Sequence, residues 1–429
     1  MIKITKSIRL RNKHIRKAGS LTRAKRKLQT CKVFEVKIDK SHLNLKTKEH
    51  LNRLFLESKW FYNYILSQES IFELANFDKL DKVPVKVKGT YLNRRLKFLS
   101  SHMKQSILER TKNNIIALAR MKEKGIKVGA LDFKSFVNSV PLVQYGNTYK
   151  ILDKNYVHIQ GVKQKLKVNG LEQIPKGSDI ANANLVHKNG DYYVKITTYQ
   201  TKKKFKLKNR SIGIDFGIKN QLTLSSGIKI NYSVPLNDRL RKLAQNVSRK
   251  KLHSNNWYKA LTKLRKEYNK ANNIKKDIKD KVVSHLRDKY KRVTFQDENI
   301  KAWQRIYGKR ILYTSIGGII RDLKTKSHTP IIVDKWYPST KTCSCCGNIK
   351  KKNKLSMRTY RCKKCGYNID RDLNASINIK YEGLLSVGTV RTEFKPVEIK
   401  TSTLTSMKYL NSIPYVTASL IVETGSHHF

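Results

Sequence analysis

The stretch that decides the architecture reads Cys343-Ser-Cys-Cys346-Gly, then Cys362-Lys-Lys-Cys365-Gly, and then Asp370-Arg-Asp372-Leu-Asn374. Each pair of cysteines is followed by a glycine, a pattern typical of a knuckle that turns tightly around a metal ion. Four thiolates from two such knuckles supply the tetrahedral ligand set of a structural Zn²⁺ site. The sequence therefore predicts a zinc site made by Cys343, Cys346, Cys362 and Cys365.

The other two cysteines are Cys31 and Cys345. Cys345 lies inside the first knuckle and could compete as a ligand, but Cys343 and Cys346 have the conventional spacing. Disulfide bonds are not expected, because no apolar signal core follows the basic N-terminus and nothing else marks the chain as secreted.

The composition points to a polyanionic partner. Among 429 residues there are 91 Lys and Arg against 31 Asp and Glu, a formal net charge of +60. Self-repulsion at this level is costly unless a polyanion such as nucleic acid neutralises it. A basic membrane-surface protein is the alternative, but no segment reaches the ~18 apolar residues of a membrane span. We expect a cytoplasmic, nucleoid-associated protein with two or more domains.

The first half of the sequence predicts a basic extension, a β-barrel and a helical insertion. Residues 1–30 are rich in Lys and Arg and contain no Asp or Glu. This composition is typical of a flexible arm that becomes ordered on nucleic acid, and equally of a solvated tail without function. Apolar residues at helical spacing predict a helical domain over 46–125. Alternating segments and the Asn189-Gly190 turn predict β-hairpins that form a barrel from 31–45 and 126–205.

The second half predicts an α/β domain interrupted by the zinc module. Its expected parts are a domain from 206–334 and 370–385, a zinc-binding module at 335–369, and a C-terminal tail at 386–429. The tail is rich in Ser and Thr and weakly periodic, so we expect it to be partly disordered.

Within the α/β domain, the pattern of apolar residues predicts strands ending at Asp215 and Glu298 and a basic helical hairpin over 236–292. It also predicts a helix over 311–325, a strand over 330–333 and a helix over 372–383.

Carboxylates are scarce, so their placement is informative. Asp215 and Glu298 end apolar strands, and Asp372 begins the helix after the zinc module. Two strand acids and one helix acid are the set with which a two-metal phosphodiesterase holds two Mg²⁺ ions about 3.5–4 Å apart. The alternative is that these acids are helix caps or surface charges. Asp370 suits a cap best, because Asp favours helix N-termini.

Taken together, these motifs resemble the TnpB proteins, which are transposon-encoded RNA-guided DNA nucleases related to type V CRISPR effectors. The resemblance covers about residues 205–385. It is carried by five segments: Ile212-Gly-Ile-Asp215, Gln296-Asp-Glu298-Asn, Pro338-Ser-Thr-Lys-Thr-Cys343-x2-Cys346-Gly, Cys362-x2-Cys365-Gly, and Asp370-Arg-Asp372-Leu-Asn374-Ala. It implies an α/β multidomain protein. Its parts would be an RNase H-like (RuvC) nuclease domain with an inserted zinc ribbon, and a β-barrel wedge domain carrying an inserted helical recognition domain.

The resemblance also implies catalytic residues, with one departure. The family's final acid matches Asp372, two residues before Asn374. In the second motif the commoner family pattern has Glu before Asp, whereas this chain has Gln296 there. Residues two apart in a strand face the same side, so Glu298 could present its carboxylate where Gln296 points, with Asp297 facing away. We therefore expect Asp215, Glu298 and Asp372 to be the catalytic, Mg²⁺-binding residues.

The resemblance thus implies an RNA-guided, Mg²⁺-dependent double-stranded DNA endonuclease of a transposable element. Its partners would be a guide RNA and a double-stranded target DNA that carries a short adjacent motif. The protein would act as a monomer, and no membrane would be involved. Two alternatives remain open at this stage. One is a nuclease-inactive, RNA-guided DNA-binding repressor of the same family. The other is a transposase that joins DNA ends, since a fold alone does not fix the chemistry.

Overall fold

The structure is a computed structural model. It describes the chain over 6–73, 76–87, 89–152, 155–202, 209–232, 234, 238–308, 311, 314–351, 357–388 and 401–421. The chain divides into two compact units, Met1–Lys203 and Lys204–Phe429. Within the described residues, the helices are all too short or too polar to cross a membrane.

The first unit is built on a seven-stranded antiparallel sheet in the order β4-β8-β9-β1-β7-β6-β5. The edge strands β4 and β5 are consecutive in the chain, and a bridge between Tyr145 and Tyr149 brings the two edges together into a nearly closed barrel. The strands are β1 Gln29–Ile38, β2 Lys82–Val87, β3 Thr90–Arg95, β4 Ser139–Leu142, β5 Tyr149–Leu152, β6 Tyr156–Ile159, β7 Leu166–Asn169, β8 Asp179–Lys188 and β9 Asp191–Thr201. The helices are α1 Lys6–Lys27, α2 Leu45–Leu66 and α3 Ser101–Glu123.

Helices α2 and α3 share one hydrophobic core with the barrel. The Asn44 side chain caps α2 by accepting a hydrogen bond from the Thr47 backbone N–H at 2.7 Å. The predicted apolar face of α2 is buried, with Leu51 and Phe61 fully inaccessible to solvent. The predicted hairpin is also confirmed, because Asn189 and Gly190 both adopt positive φ at the β8–β9 turn. The proposed boundary between a barrel and an inserted helical domain stays a prediction.

The described part of the N-terminal arm is helical rather than irregular. Its last turn is attached to the barrel through Asp179, whose Oδ2 lies 2.8 Å from Lys25 Nζ and 3.0 Å from Arg26 Nη1. The Arg26 guanidinium also lies 3.8 Å from the ring centroid of Tyr199. The high helix propensity of Lys, Arg, Leu and Ala accounts for the helix, since its side chains are largely exposed.

The second unit contains a six-stranded sheet in the order β14-β13-β10-β11-β12-β17. Strands β13 and β14 run parallel to β10, and the neighbours on the other side are antiparallel. The strands are β10 Ser211–Phe216, β11 Leu222–Leu224, β12 Ile228–Tyr232, β13 Arg292–Gln296, β14 Thr329–Val333, β15 Thr359–Arg361, β16 Asn368–Asp370 and β17 Val416–Leu420. The helices are α4 Asp238–Ser248, α5 Asn255–Lys289, α6 Ile300–Tyr307, α7 Ile316–Lys326, α8 Arg371–Ser386 and α9 Thr401–Asn411.

Helix α8 packs directly against the centre of this sheet, and two glycines make the close approach possible. A Cβ added at Gly213 on β10 would overlap the backbone carbonyl of Ser376. A Cβ added at Gly383 on α8 would overlap the Thr294 side chain on β13. This contact fixes the N-terminus of α8, and with it Asp372, beside the carboxyl ends of β10 and β13.

Two segments of the second unit differ from the sequence prediction. In the segment expected to be a helix over 311–325, Ile311 and Thr314 are helical, but Ser315 has a left-handed backbone conformation, and α7 begins after it at Ile316. In the predicted tail at 386–429, the described residues 401–421 form α9 and β17. Strand β17 pairs with β12 along the sheet edge. Residues 422–429, in the same predicted tail, lie outside the described residues.

Candidate active site and metal centre

The four predicted zinc ligands converge. Their sulfur atoms all lie within 4.8 Å of one another, the only such group of metal-binding side chains among the described residues. Cys343 Sγ lies 3.8 Å from Cys365 Sγ, and Cys346 Sγ lies 3.7 Å from Cys362 Sγ. Sulfurs bound tetrahedrally at about 2.3 Å from Zn²⁺ lie about 3.8 Å apart, so the cluster fits zinc, whereas a disulfide requires about 2 Å.

The two knuckles have the same backbone geometry. Gly347 N–H donates to the Cys343 carbonyl at 2.9 Å, and Gly366 N–H donates to the Cys362 carbonyl at 3.1 Å. Both glycines have φ of 71°, which a residue with a side chain rarely adopts. Burial raises the pKa of Cys343 and Cys346, whereas at Cys362 hydrogen bonds from backbone N–H groups and from neighbouring cysteines outweigh burial and lower the pKa. A bound metal ion would stabilise the thiolate form of all of them. Cys345 lies outside the four-sulfur cluster.

The three predicted catalytic acids line one cavity of about 780 Å³ in the second unit. Asp215 is on β10, Glu298 follows the end of β13, and Asp372 is in the first turn of α8. Strands β10 and β13 are parallel and adjacent, with Ile214 opposite Phe295, so their carboxyl ends open at the same sheet edge. The cavity also contains basic side chains, from Lys219, Lys335, Arg358 and Arg371.

The carboxylates repel one another in this cavity. Burial raises the pKa of Asp215 well above its usual range, and the charges of Asp372 and Glu298 raise it further, while Arg371 opposes the shift. Burial also raises the pKa of Glu298 to about 7, with a smaller contribution from Asp297. Carboxylates arranged in this way favour a bound cation, because the cation removes their mutual repulsion.

Two neighbouring acids have structural contacts. Asp297 Oδ1 lies 2.7 Å from Lys324 Nζ on α7, and the residue is exposed and does not line the cavity. The Asp297 carboxylate therefore contacts Lys324 outside the cavity that Glu298 lines. Asp370 caps α8 by accepting hydrogen bonds from the backbone N–H groups of Asp372 and Leu373, as predicted.

Gln296 has a structural role in the cavity wall. Its Nε2 donates to the backbone carbonyls of Asp334 at 2.9 Å, Lys335 at 3.2 Å and Tyr337 at 2.8 Å. Its Oε1 accepts a hydrogen bond from Ser339 Oγ at 3.1 Å. The residue is only 7% exposed, so its amide holds together the segment that leads from β14 into the zinc module.

Two polar residues that the sequence analysis did not single out contact Asp372. Asn220 Nδ2 donates to Asp372 Oδ2 at 3.0 Å, and Arg371 Nη2 donates to Oδ1 at 3.3 Å. Asn220 Oδ1 in turn accepts a hydrogen bond from Asn231 Nδ2 at 3.3 Å. One feature of the sequence could have indicated Asn220 as a site residue: it lies in the turn that directly follows the strand carrying Asp215.

Two solved structures show some similarity to this chain. One is reported as a "Cryo-EM structure of the Cas12f1-sgRNA-target DNA complex", with a TM-score of 0.40, 13% identity and coverage of 82% of this chain and 99% of that one. The other is CasPhi-2 (Cas12j) bound to crRNA and phosphorothioate DNA, with a TM-score of 0.35, 10% identity and coverage of 82% of this chain and 91% of that one.

Two curated proteins are similar in sequence. A Streptomyces pristinaespiralis protein described as "Putative RNA-guided DNA endonuclease" is 27% identical over 240 residues, which are 52% of this chain and 57% of that protein. The "Putative RNA-guided DNA endonuclease InsQ" of Escherichia coli (strain K12) is 23% identical over 217 residues, which are 44% of this chain and 53% of that protein. The chain therefore spans only somewhat more than half the length of the relatives it matches.

Two family models match successive parts of the chain from residue 193 onward. The OrfB_IS605 model, described as "Probable transposase", matches residues 193–306, which include Asp215 and Glu298. The model described as "Cas12f1-like, TNB domain" matches residues 321–379, which include the four zinc-cluster cysteines and Asp372. Both matches and both relatives agree with the motifs that suggested TnpB, and residues 193–306 and 321–379 of this chain are similar to the TnpB (OrfB_IS605) family.

Proposed function

We propose that this protein is an RNA-guided, Mg²⁺-dependent endonuclease for double-stranded DNA, with an RNase H-like (RuvC) nuclease domain in the second unit. The observation that carries the proposal is the convergence of Asp215, Glu298 and Asp372 in one cavity. The three acids come from a strand, a strand end and a helix N-terminus, and the glycine-mediated packing of α8 on the sheet holds them there.

The residues in the cavity fit Mg²⁺, because oxygen ligands suit hard cations. Bound there, two such ions would activate a water molecule and stabilise the leaving oxygen of a phosphodiester. Asp215, Glu298 and Asp372 would hold the ions. The carboxylate oxygens of these three acids are not gathered within 4.8 Å of one another as the four sulfur atoms are. A wider spacing suits ligands that are shared between two ions. Lys219 and Arg358, which line the same cavity, would bind phosphate oxygens of the substrate strand.

The nucleic-acid partners follow from charge and from the relatives. A net charge of +60 favours a large polyanion, and both curated relatives are described as RNA-guided. A guide RNA would supply sequence specificity by pairing with one target strand, while the protein would bind the heteroduplex by its shape. We propose that one copy of the protein binds one guide RNA, with the barrel and helices of the first unit acting as wedge and recognition domains.

The test is cleavage of a matched duplex by the protein loaded with its guide RNA. The wild type with Mg²⁺ should cut the matched target and spare a mismatched one, and EDTA should abolish cutting. Asp215→Ala and Asp372→Ala should each abolish cleavage yet leave guided DNA binding nearly intact, because only the metal ligand is lost. Asp297→Ala is the matched control and should still cleave, because its carboxylate contacts Lys324 instead of the cavity.

A second candidate is favoured by Gln296. A neutral amide that is fully hydrogen-bonded to backbone carbonyls cannot serve as an anionic ligand, so the third acid has to come from Glu298. If Glu298 does not complete the site, the protein would be an RNA-guided DNA-binding repressor. Tight, guide-dependent target binding by the wild type without cleavage in Mg²⁺ or Mn²⁺ would establish this second function and exclude the first.

A further inference from the structure

Trp336 is exposed to an extent that folding does not explain. It is the only exposed tryptophan of the four in the chain, with 79% of its surface accessible. Burying an aromatic side chain of this size normally stabilises a protein, so an exposed ring contributes little to the fold. The ring has a cation beside it, because Lys335 Nζ lies 5.0 Å from the ring centroid.

The backbone under Trp336 is held firmly. Asp334 Oδ1 accepts a hydrogen bond from the Trp336 N–H at 2.7 Å, and the Tyr337 N–H donates to the Asp334 carbonyl at 3.2 Å. The buried Gln296 amide binds the carbonyls on both sides of Trp336, those of Lys335 and Tyr337. A ring presented on such a turn loses little conformational entropy when it binds a ligand.

Trp336 is also flanked in the chain by residues of the acidic cavity. Its chain neighbours Lys335 and Tyr337 both line the cavity that contains Asp215 and Asp372. An aromatic ring with an adjacent cation, next to a cavity that would hold a phosphodiester, provides the two contacts that single-stranded nucleic acid uses. The ring stacks on a base, and the cation binds the neighbouring phosphate.

We infer that Trp336 is a stacking platform for an unpaired base of the target DNA strand, next to the phosphodiester that enters the cavity. This inference rests on the proposed endonuclease function. It assigns to Trp336 the positioning of the strand, and to Lys335 a contact to the adjacent phosphate. Any base can stack, so the platform holds the strand without selecting its sequence.

The test measures binding of a labelled single-stranded DNA oligonucleotide to the guide-loaded protein in EDTA, by fluorescence anisotropy. Trp336→Ala should weaken binding about 5- to 100-fold, the range that the loss of one stacked base produces. Trp336→Phe should restore most of the affinity. The slope of log affinity against log salt should not change, because the substitution removes no charge. Tyr258→Ala is the matched control, since Tyr258 is 51% exposed on α5 and, unlike Trp336, has no chain neighbour that lines the cavity.

A second oligonucleotide lacks the base that stacks on Trp336. The wild type should bind this abasic strand as weakly as Trp336→Ala binds the intact strand. The affinity of Trp336→Ala should not fall further when the base is missing. Equal affinities of wild type and Trp336→Ala would overturn the inference, and so would a loss seen for RNA but not for DNA. The two proposals fail separately. A wild type that does not cut but shows the Trp336 effect refutes the endonuclease alone, whereas cutting without the Trp336 effect refutes the platform alone.

Discussion

Asn374 on α8 is hydrogen-bonded to the first zinc knuckle. Its Oδ1 accepts from the Ser344 backbone N–H at 3.0 Å, and its Nδ2 donates to the Thr342 carbonyl at 2.7 Å. Asn378, one turn later, donates to the Thr342 and Ser339 carbonyls at 2.7 and 2.8 Å. The zinc module and the helix that carries Asp372 are therefore joined by buried amide side chains, and the order of one should depend on the order of the other.

Asn374→Ala should destabilise the second unit. The residue is fully buried, so the substitution leaves the Ser344 N–H and the Thr342 carbonyl with fewer partners in a dry environment. We expect a loss of ~1–3 kcal/mol in the free energy of unfolding, measured by urea denaturation. Asn272→Ala is the matched control, because Asn272 is exposed on α5 and the change should be close to neutral. Equal stability of the two variants would contradict this role of Asn374.

Replacing single cysteines should separate zinc ligands from bystanders. Cys362→Ser removes one ligand of the four-sulfur cluster and should release the metal, because zinc contributes on the order of 10 kcal/mol to the folding of such modules. Cys345→Ser is the matched control from within the same knuckle and should retain one zinc per chain. The measurement is the metal content of the purified protein, together with hydrogen exchange of residues 335–351. Full zinc in Cys362→Ser, or its loss in Cys345→Ser, would contradict the assigned ligands.

The four-cysteine cluster and the strands next to the acids could be predicted from sequence because their signals are local. Ligand spacing fixes the knuckles around Cys343 and Cys362, and an acid at the end of an apolar strand marks Asp215. Strand β17 could not be predicted, since its Val416-Thr-Ala-Ser-Leu420 sequence is short and weakly apolar and is stabilised by pairing with β12. The role of Gln296 was also hidden, because its partners lie at residues 334–339, far along the chain.

Gln296→Glu, which would introduce the acid found in the commoner family pattern, should destabilise this protein rather than improve it. A glutamate carboxylate would face three backbone carbonyls that now accept from Nε2, in a site that is 7% exposed. We expect a cost of ~1–3 kcal/mol at pH 8, measured by urea denaturation. Gln296→Met is the control of similar size without charge and should cost less. The difference between the variants should shrink as the pH falls, because a protonated carboxyl group can donate one hydrogen bond.

A gain in cleavage or stability on Gln296→Glu would contradict this prediction. It would mean that the new carboxylate turns toward the cavity and binds a metal ion there. The result would also favour the repressor function for the wild type, since the natural residue would then be the one that disables the site.

His285 on α5 should make the docking of the C-terminal segment dependent on pH. Its ring stacks on Tyr409 at 4.7 Å between centroids and lies 3.1 Å from Ser406 Oγ, both on α9. Burial, together with the charge of the nearby Lys289, lowers the pKa of His285 to about 4 against the opposing charge of Asp288. The folded protein therefore keeps this imidazole neutral, whereas the unfolded chain takes up a proton below pH ~6.5.

Because the folded pKa is depressed, the unfolded state binds more protons as the pH falls from about 6.5 toward 4, and stability falls with it. Between pH 7.5 and pH 5, this single group should lower the free energy of unfolding by ~2 kcal/mol.

His285→Phe keeps a ring against Tyr409 but cannot titrate, so its loss of stability between pH 7.5 and pH 5 should be smaller by about that amount. His102→Asn, an exposed site on α3, should behave like the wild type. Urea denaturation at the two pH values gives the free energies, and hydrogen exchange along β12 and β17 should report the same loss locally, since α9 leads into β17. Identical pH dependence in the wild type and His285→Phe would show that the buried imidazole does not couple the C-terminal segment to pH.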